Sequence, residues 1–339
     1  MSFKTLRNLV VVTVVILGTG YLRMPVEQRF TEDLREKKAI PPPIRKEVWG
    51  QMGQTSLAGV LGGLRTLIAS SMNLASQTQF EEKDWYELKK RYGIITALDP
   101  YNEFYWDHGG WHLAYNAASW ARSNDQLSPR KRRLLEREFL EQGDAFYRQG
   151  IALNPDNPRL WMNIGRLWSN PHKRPDLPRA AKAFKEAAKH DNLFYQRTYL
   201  YVLARIPGRE IEAYDYAQKL LIENPSRHLS RTTFRCLLFC LATNPNLPKQ
   251  ALEIRLGELF VSKQQAYQDL YNFRALSQEK GYYTGKLDEV LETLIKELRI
   301  PDHLNPFKAG AKPRIFEKDF EKALNQPLDL FLKSPFESN

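Results

Sequence analysis

The chain has 339 residues, 42% of them hydrophobic and 26% charged, a balance that excludes wholesale disorder and provides for one large or two ordinary cores. Its 50 Lys+Arg against 39 Asp+Glu give a formal charge of +11, which favours acidic partners (anionic lipid, nucleic acid, acidic proteins, cell-wall polymers) without choosing among them. Two cysteines exclude a disulfide-stapled fold and every four-cysteine metal site.

Residues 1–5 read as a cytoplasmic terminus and residues 6–23 as a membrane anchor or a secretory signal. Lys4 and Arg7 precede an uncharged apolar run from Leu9 to Leu22, and Arg23 follows it. Counting from Leu6 and letting the arginines snorkel brings the run towards the ~17-residue lower limit for a span. Gly18 and Gly20 are a poor match to a cleavage site, and no cysteine follows to carry a lipoprotein anchor. The basic leading flank places that end in the cytoplasm and the bulk of the chain on the exported side. Residues 24–47 are charged and then proline-rich, a stalk in which Pro41, Pro42 and Pro43 favour an extended, semi-rigid spacer.

From residue 48 the apolar spacing is helical nearly throughout, with residues three and four apart in "YELKKRYGIITAL", "EFYWDHGGWHLAYNAASWA" and "AAKAFKEAAKH". No series of alternating strands competes, so the expectation is all-α: a repeat domain over 48–246, capping helices over 247–300 and an irregular tail over 301–339. That tail either wraps back through Phe307 and Ile315 or stays loose. Polar breaks at "LDPYN", "LNPDN", "KHDN" and "ENPS" stop one helix and cap the next.

The breaks recur near the 34-residue tetratricopeptide period. Trp161, Ile164, Gly165 and Trp168 follow that repeat's W-x2-L-G-x2-Y pattern with an aromatic exchange at the end, and Ala180, Phe184 and Ala187 follow its A-x3-F-x2-A. Trp106 and Gly110 hold corresponding places in a more degenerate unit. The chain thus resembles the tetratricopeptide-repeat superfamily over roughly residues 85–226, and the resemblance implies a helical-hairpin solenoid behind a single amino-terminal membrane helix. "GVLGGLRTLIAS" with "LDPYNEFYWDHGGWHLAYN" also resembles a group of bacterial membrane-anchored repeat proteins, which implies an envelope setting and brings no reaction with it.

Several constellations are candidate sites. The repeat resemblance implies a groove lined by Phe104, Asp107, Trp111 and Tyr115 from one unit and by Arg159, Met162 and Arg166 from the next, suited to an extended peptide or a carboxylate-bearing segment. His108 and His112 lie four apart and could share a metal, but Gly109 stands where a zincin carries its general base and no third ligand is evident. Arg65, alone in an apolar run beside Gly59 and Gly63, requires a buried partner that the spacing does not identify. Arg130, Lys131, Arg132 and Arg133 form a solvated helix start or an anionic-lipid contact. Cys236 and Cys240 read as two small buried residues or as a redox pair.

No nucleophile, base and orienting group converge, no glycine loop cradles a phosphate, and no nucleic-acid recognition motif is present. The expectation is a non-enzymatic, cofactor-free scaffold, tethered to the bacterial inner membrane and holding a protein partner on the periplasmic side. The alternatives are a structural subunit of a larger membrane complex and a metal-dependent hydrolase built on His108 and His112.

Overall fold

The computed structural model describes residues 3–52, 63–247, 252–316 and 318–319, and among these it is entirely helical, with no strand. Gly59 and the last twenty residues of the tail lie outside that set. The chain forms two compact units, residues 1–163 and 164–339, divided inside a helix rather than at 47 or 246 where composition changes.

In the first unit, α1 (Phe3–Glu36) is one helix long and apolar enough to cross a membrane, with none of its apolar window buried. The helix does not end where the charged segment begins: it continues through Pro25 to Glu36, so the first half of the expected stalk is helical. It stops in a Schellman turn, with Lys38 left-handed at φ 55° and the Ala39 N–H donating to the Leu34 carbonyl at 2.8 Å. Pro41–Pro43 lie outside any helix, and they are not a free spacer. Arg65 Nη1 donates to the Pro42 carbonyl at 3.1 Å, and the short helix α2 (Lys46–Trp49) packs on α4 (Trp85–Leu98).

The core of this unit joins α3 (Arg65–Glu82) and α4 to a composite helix that packs on α7 (Pro129–Leu153). The composite helix is α5 (Glu103–Trp111), a π-helical turn (His112–Ala117) and α6 (Ala118–Ser123). Asn102 caps its start, accepting from the Phe104 N–H at 3.2 Å. Four glycines allow the backbones of the two helices to meet. A Cβ on Gly109 would stand 2.6 Å from the Phe146 ring, one on Gly143 2.5 Å from Ala114, and one on Gly150 2.7 Å from Trp106; Gly110 lies against the Tyr147 ring. Because 106 meets 150 and 114 meets 143, the pair runs antiparallel.

Helix α8 (Pro158–Ser169) contains the boundary between the units. In the second unit its final turns form an antiparallel hairpin with α9 (Leu177–Ala187): Gly165 sits against the Phe184 ring, and Arg179 lies 3.9 Å over the Trp168 ring. Ile164, Trp168, Ala180, Phe184 and Ala187 are all buried. Then follow α10 (Leu193–Leu203), α11 (Glu210–Glu223), α12 (Pro225–Leu229) and α13 (Thr232–Ala242). Beyond them lie α14 (Leu252–Leu259), α15 (Lys263–Lys280) and α16 (Leu287–Leu298). The α15–α16 pair is also antiparallel, tied by Arg274–Asp288 at 2.7 Å and Lys263–Glu297 at 3.0 Å. The tail wraps back as far as it is described, with Ile315 fully buried and Arg274 over the Phe307 ring.

Candidate functional site: an aromatic stripe beside an ion pair

The buried face of α5 is committed to α7, which leaves the opposite face to solvent. Along it, Phe104 and Trp111 are exposed to 44% and 43%, with His108 half-buried between them. The rings form a ladder: Phe104 to His108 at 4.5 Å and His108 to Trp111 at 6.1 Å. This follows from the i, i+4, i+7 spacing on one α-helical face.

A π-turn follows the stripe. A π-turn closes its hydrogen bonds one residue later than an α-turn, so positions beyond it leave the α-helical row. Tyr115, expected to extend the row, is half-buried within that turn.

Beside the stripe, Asp107 accepts from two side chains of α8. Arg159 Nη2 approaches one carboxylate oxygen at 2.5 Å, and Asn163 Nδ2 donates to the other at 2.7 Å. Asn157 caps α8 through the Arg159 N–H at 2.8 Å and its amide also pairs with Glu103. The carboxylate is thereby fixed in direction while the Arg159 guanidinium stays largely exposed.

The structure thus brings Phe104, Asp107, Trp111 and Arg159 together on the first unit. One expected member, Met162, does not line this surface. Met162 is 2% exposed, because the stretch of α8 that carries Asn163 towards Asp107 turns Met162 into the core; it is a packing residue, not a lining one. Arg166 is exposed but belongs to the second unit. Trp161, expected as a packing residue, is only half-buried, with the Arg148 guanidinium 6.0 Å from its ring and Asp144 holding Arg148 at 2.7 Å.

His112 is a packing histidine. Its ring lies among Phe80, Tyr92 and Trp111 at 5.2 to 5.5 Å, and Asn116 Nδ2 approaches its Nδ1 at 3.1 Å. Burial, assisted by neighbouring His108, pushes its pKa down to about 4. Burial also lowers His108, with Asp107 opposing. No group of three or more His, Cys, Asp or Glu side chains among the described residues is placed to hold a metal.

Of the basic cluster, Arg132 pairs with Asp125 at 2.8 Å, while Arg130, Lys131 and Arg133 are exposed in the first turn of α7. Cys236 and Cys240 are free, fully buried thiols whose pKa values burial raises, which keeps them protonated and inert.

Sequence reasoning missed Asn163, Asn116 and both partners of Arg65. Asn163 sits inside the repeat signature, where nothing distinguishes an asparagine aimed at a carboxylate from one facing water. Arg65 donates to main-chain carbonyls, which carry no side-chain identity to find.

No family model, no curated protein and no solved structure matches this chain.

Proposed function

We propose that this protein is a non-enzymatic scaffold, tethered to the bacterial inner membrane by α1, whose helical body holds a protein partner on the exported side. On this reading α8 and α9 form one tetratricopeptide-like hairpin. Its support is the Gly165–Phe184 approach within the W-x2-I-G-x2-W and A-x3-F-x2-A patterns. The observation that carries the reading is the Phe104–His108–Trp111 ladder beside a rigidly held Asp107–Arg159 pair. Exposed aromatic rings flanked by an oriented carboxylate and guanidinium suit a peptide segment with apolar and charged groups.

A photo-crosslinking residue at position 111, in cells, tests this. One dominant envelope protein should be captured, and Phe104→Ala should abolish the capture while a crosslinker at Ile222 recovers nothing comparable. Capture that is indifferent to Phe104→Ala, or equal from both positions, removes the stripe as the docking surface. Protease accessibility of the body in spheroplasts, against intact cells, tests the exported orientation independently.

Leu67 and Leu74 of α3, both exposed and seven residues apart, favour a second reading in which the body packs permanently as a subunit of a larger complex. Migration of the native, detergent-extracted protein solely in a stable assembly would support this reading over an adaptor.

A further inference from the structure

Residues 312–316 form no helix, yet α15 grips their main chain. The Ile315 N–H donates to Asn272 Oδ1 at 2.9 Å, and the Ile315 carbonyl accepts from Asn272 Nδ2 at 2.8 Å. The Tyr271 hydroxyl donates to the Lys312 carbonyl. One helical turn earlier, the buried Tyr267 hydroxyl donates to the Leu304 carbonyl at 2.6 Å. Of the strap's side chains, Ile315 is the one fully buried.

A side-chain amide paired at two points with one residue's N–H and carbonyl reads main chain whatever its sequence. Selectivity then rests on the pocket that receives Ile315. The strap leaves the groove partly filled: a cavity of about 470 Å³ remains beside it, bounded by Thr232, Gln268, Asp269 and the strap itself. Buried main chain must be paired wherever it lies, and here side chains of one helix make the pairing rather than a ladder of backbone groups. Here the main chain is recognised as closely as the side chain.

We propose that the α15 face carrying Tyr271 and Asn272 is a peptide-recognition groove held shut by the chain's own residues 312–316. Its ligand in trans is a segment that presents a branched aliphatic residue at the place of Ile315, as in Arg314-Ile315-Phe316, whose flanking side chains are exposed. The tethered strap competes at an effective concentration in the millimolar range, so a free peptide of the same sequence barely enters the wild-type groove. This groove lies wholly in the second unit and is independent of the Phe104–Trp111 stripe, so either can fail without the other.

The test uses the full chain in detergent and a fluorescein-labelled AKPRIF peptide, residues 311–316, followed by anisotropy. Ile315→Asp places a charge in the apolar pocket and frees the strap, and the peptide should then bind at least tenfold more tightly than to wild type. Adding Asn272→Ala to that chain should remove the gain, and the same peptide with aspartate for isoleucine should not bind. The proposal is overturned if the folded Ile315→Asp chain binds no better than wild type, or if Asn272→Ala makes no difference. Should circular dichroism show that Ile315→Asp does not fold, Ile315→Ala carries the same comparison without a buried charge.

Discussion

Arg65 Nη2 donates to the carbonyl of Ala97 at 2.8 Å, in the last turn of α4, while Nη1 holds the carbonyl of Pro42. The terminal carbonyls of a helix lack internal partners and carry its negative end, so a guanidinium there is doubly favoured. Burial lowers the Arg65 pKa, and the charge of Asp99 opposes that shift. Removing a charge-assisted donor to part-buried carbonyls costs about 2 kcal/mol. Arg65→Met should therefore destabilise the first unit by about that amount, and the loss should begin locally. In hydrogen exchange, amides 39–52 should lose protection before those of α7; equal protection throughout would mean that the docked prolines do not depend on Arg65.

Two helical glycines, one packed against a neighbouring helix and one open to solvent, predict opposite outcomes. Gly143→Ala drives a methyl into Ala114, including its backbone nitrogen at 2.8 Å, which cannot give way cheaply. Overpacking of this kind costs about 1–3 kcal/mol. Gly93, in α4, has nothing within 4 Å of a would-be Cβ. Gly93→Ala should stabilise the protein by about 0.5–1 kcal/mol through helix propensity. Denaturant midpoints of the two variants should move in opposite directions.

Two buried histidines make stability pH-dependent. His228 is fully buried with no partner at either ring nitrogen, and burial, reinforced by Arg197 against an opposing Glu223, lowers its pKa. His112 is lowered to about 4. Below pH ~6.5 the unfolded chain binds protons that the folded chain refuses, so stability is full above that value and falls as pH drops towards the folded pKa. For His112 the loss is on the order of 3 kcal/mol by the time its folded pKa is reached. The melting temperature should drop between pH 7.5 and pH 5, and His112→Leu/His228→Leu should flatten that drop. An unchanged slope in the double variant would assign the acid sensitivity to other groups.

Three helices end on a left-handed basic residue rather than glycine: Lys38, Lys83 and Arg299. Lys83 also lies over the Phe80 ring at 4.6 Å, so its replacement would trade one effect for another. Arg299 has no such attachment among the described contacts, and the Ile300 N–H already closes the cap on Ile295 at 3.1 Å. Arg299→Gly should stabilise α16 by about 1 kcal/mol, readable as a raised thermal midpoint.

What could be read in advance follows from the kind of interaction involved. Gly165, Phe184 and Ala187 were legible because small-against-large packing at fixed helical spacing is written in residue types, and all three are buried. The helical class was legible for the same reason. The stripe was legible as far as Trp111, where α-helical spacing holds. It failed at Met162, because a borrowed register cannot say which side of α8 faces Asp107; the π-turn that carries Tyr115 leaves no compositional mark. The continuation of α1 past Arg23 was hidden by its charge, which a solvated helix tolerates as readily as a loop.

That continuation makes α1 a shaft. An α-helix turns ~100° and rises ~1.5 Å with every residue. One residue inserted between Pro25 and Glu36 would swing Lys38, Pro42 and everything Arg65 clamps to them by roughly a quarter turn about the axis of α1. A coil of the same composition would absorb that insertion unnoticed. The bearing of the first unit around its apolar helix is therefore written in the residue count of the segment that joins them, and a graded insertion series should alternate between tolerated and disruptive with the period of a helical turn.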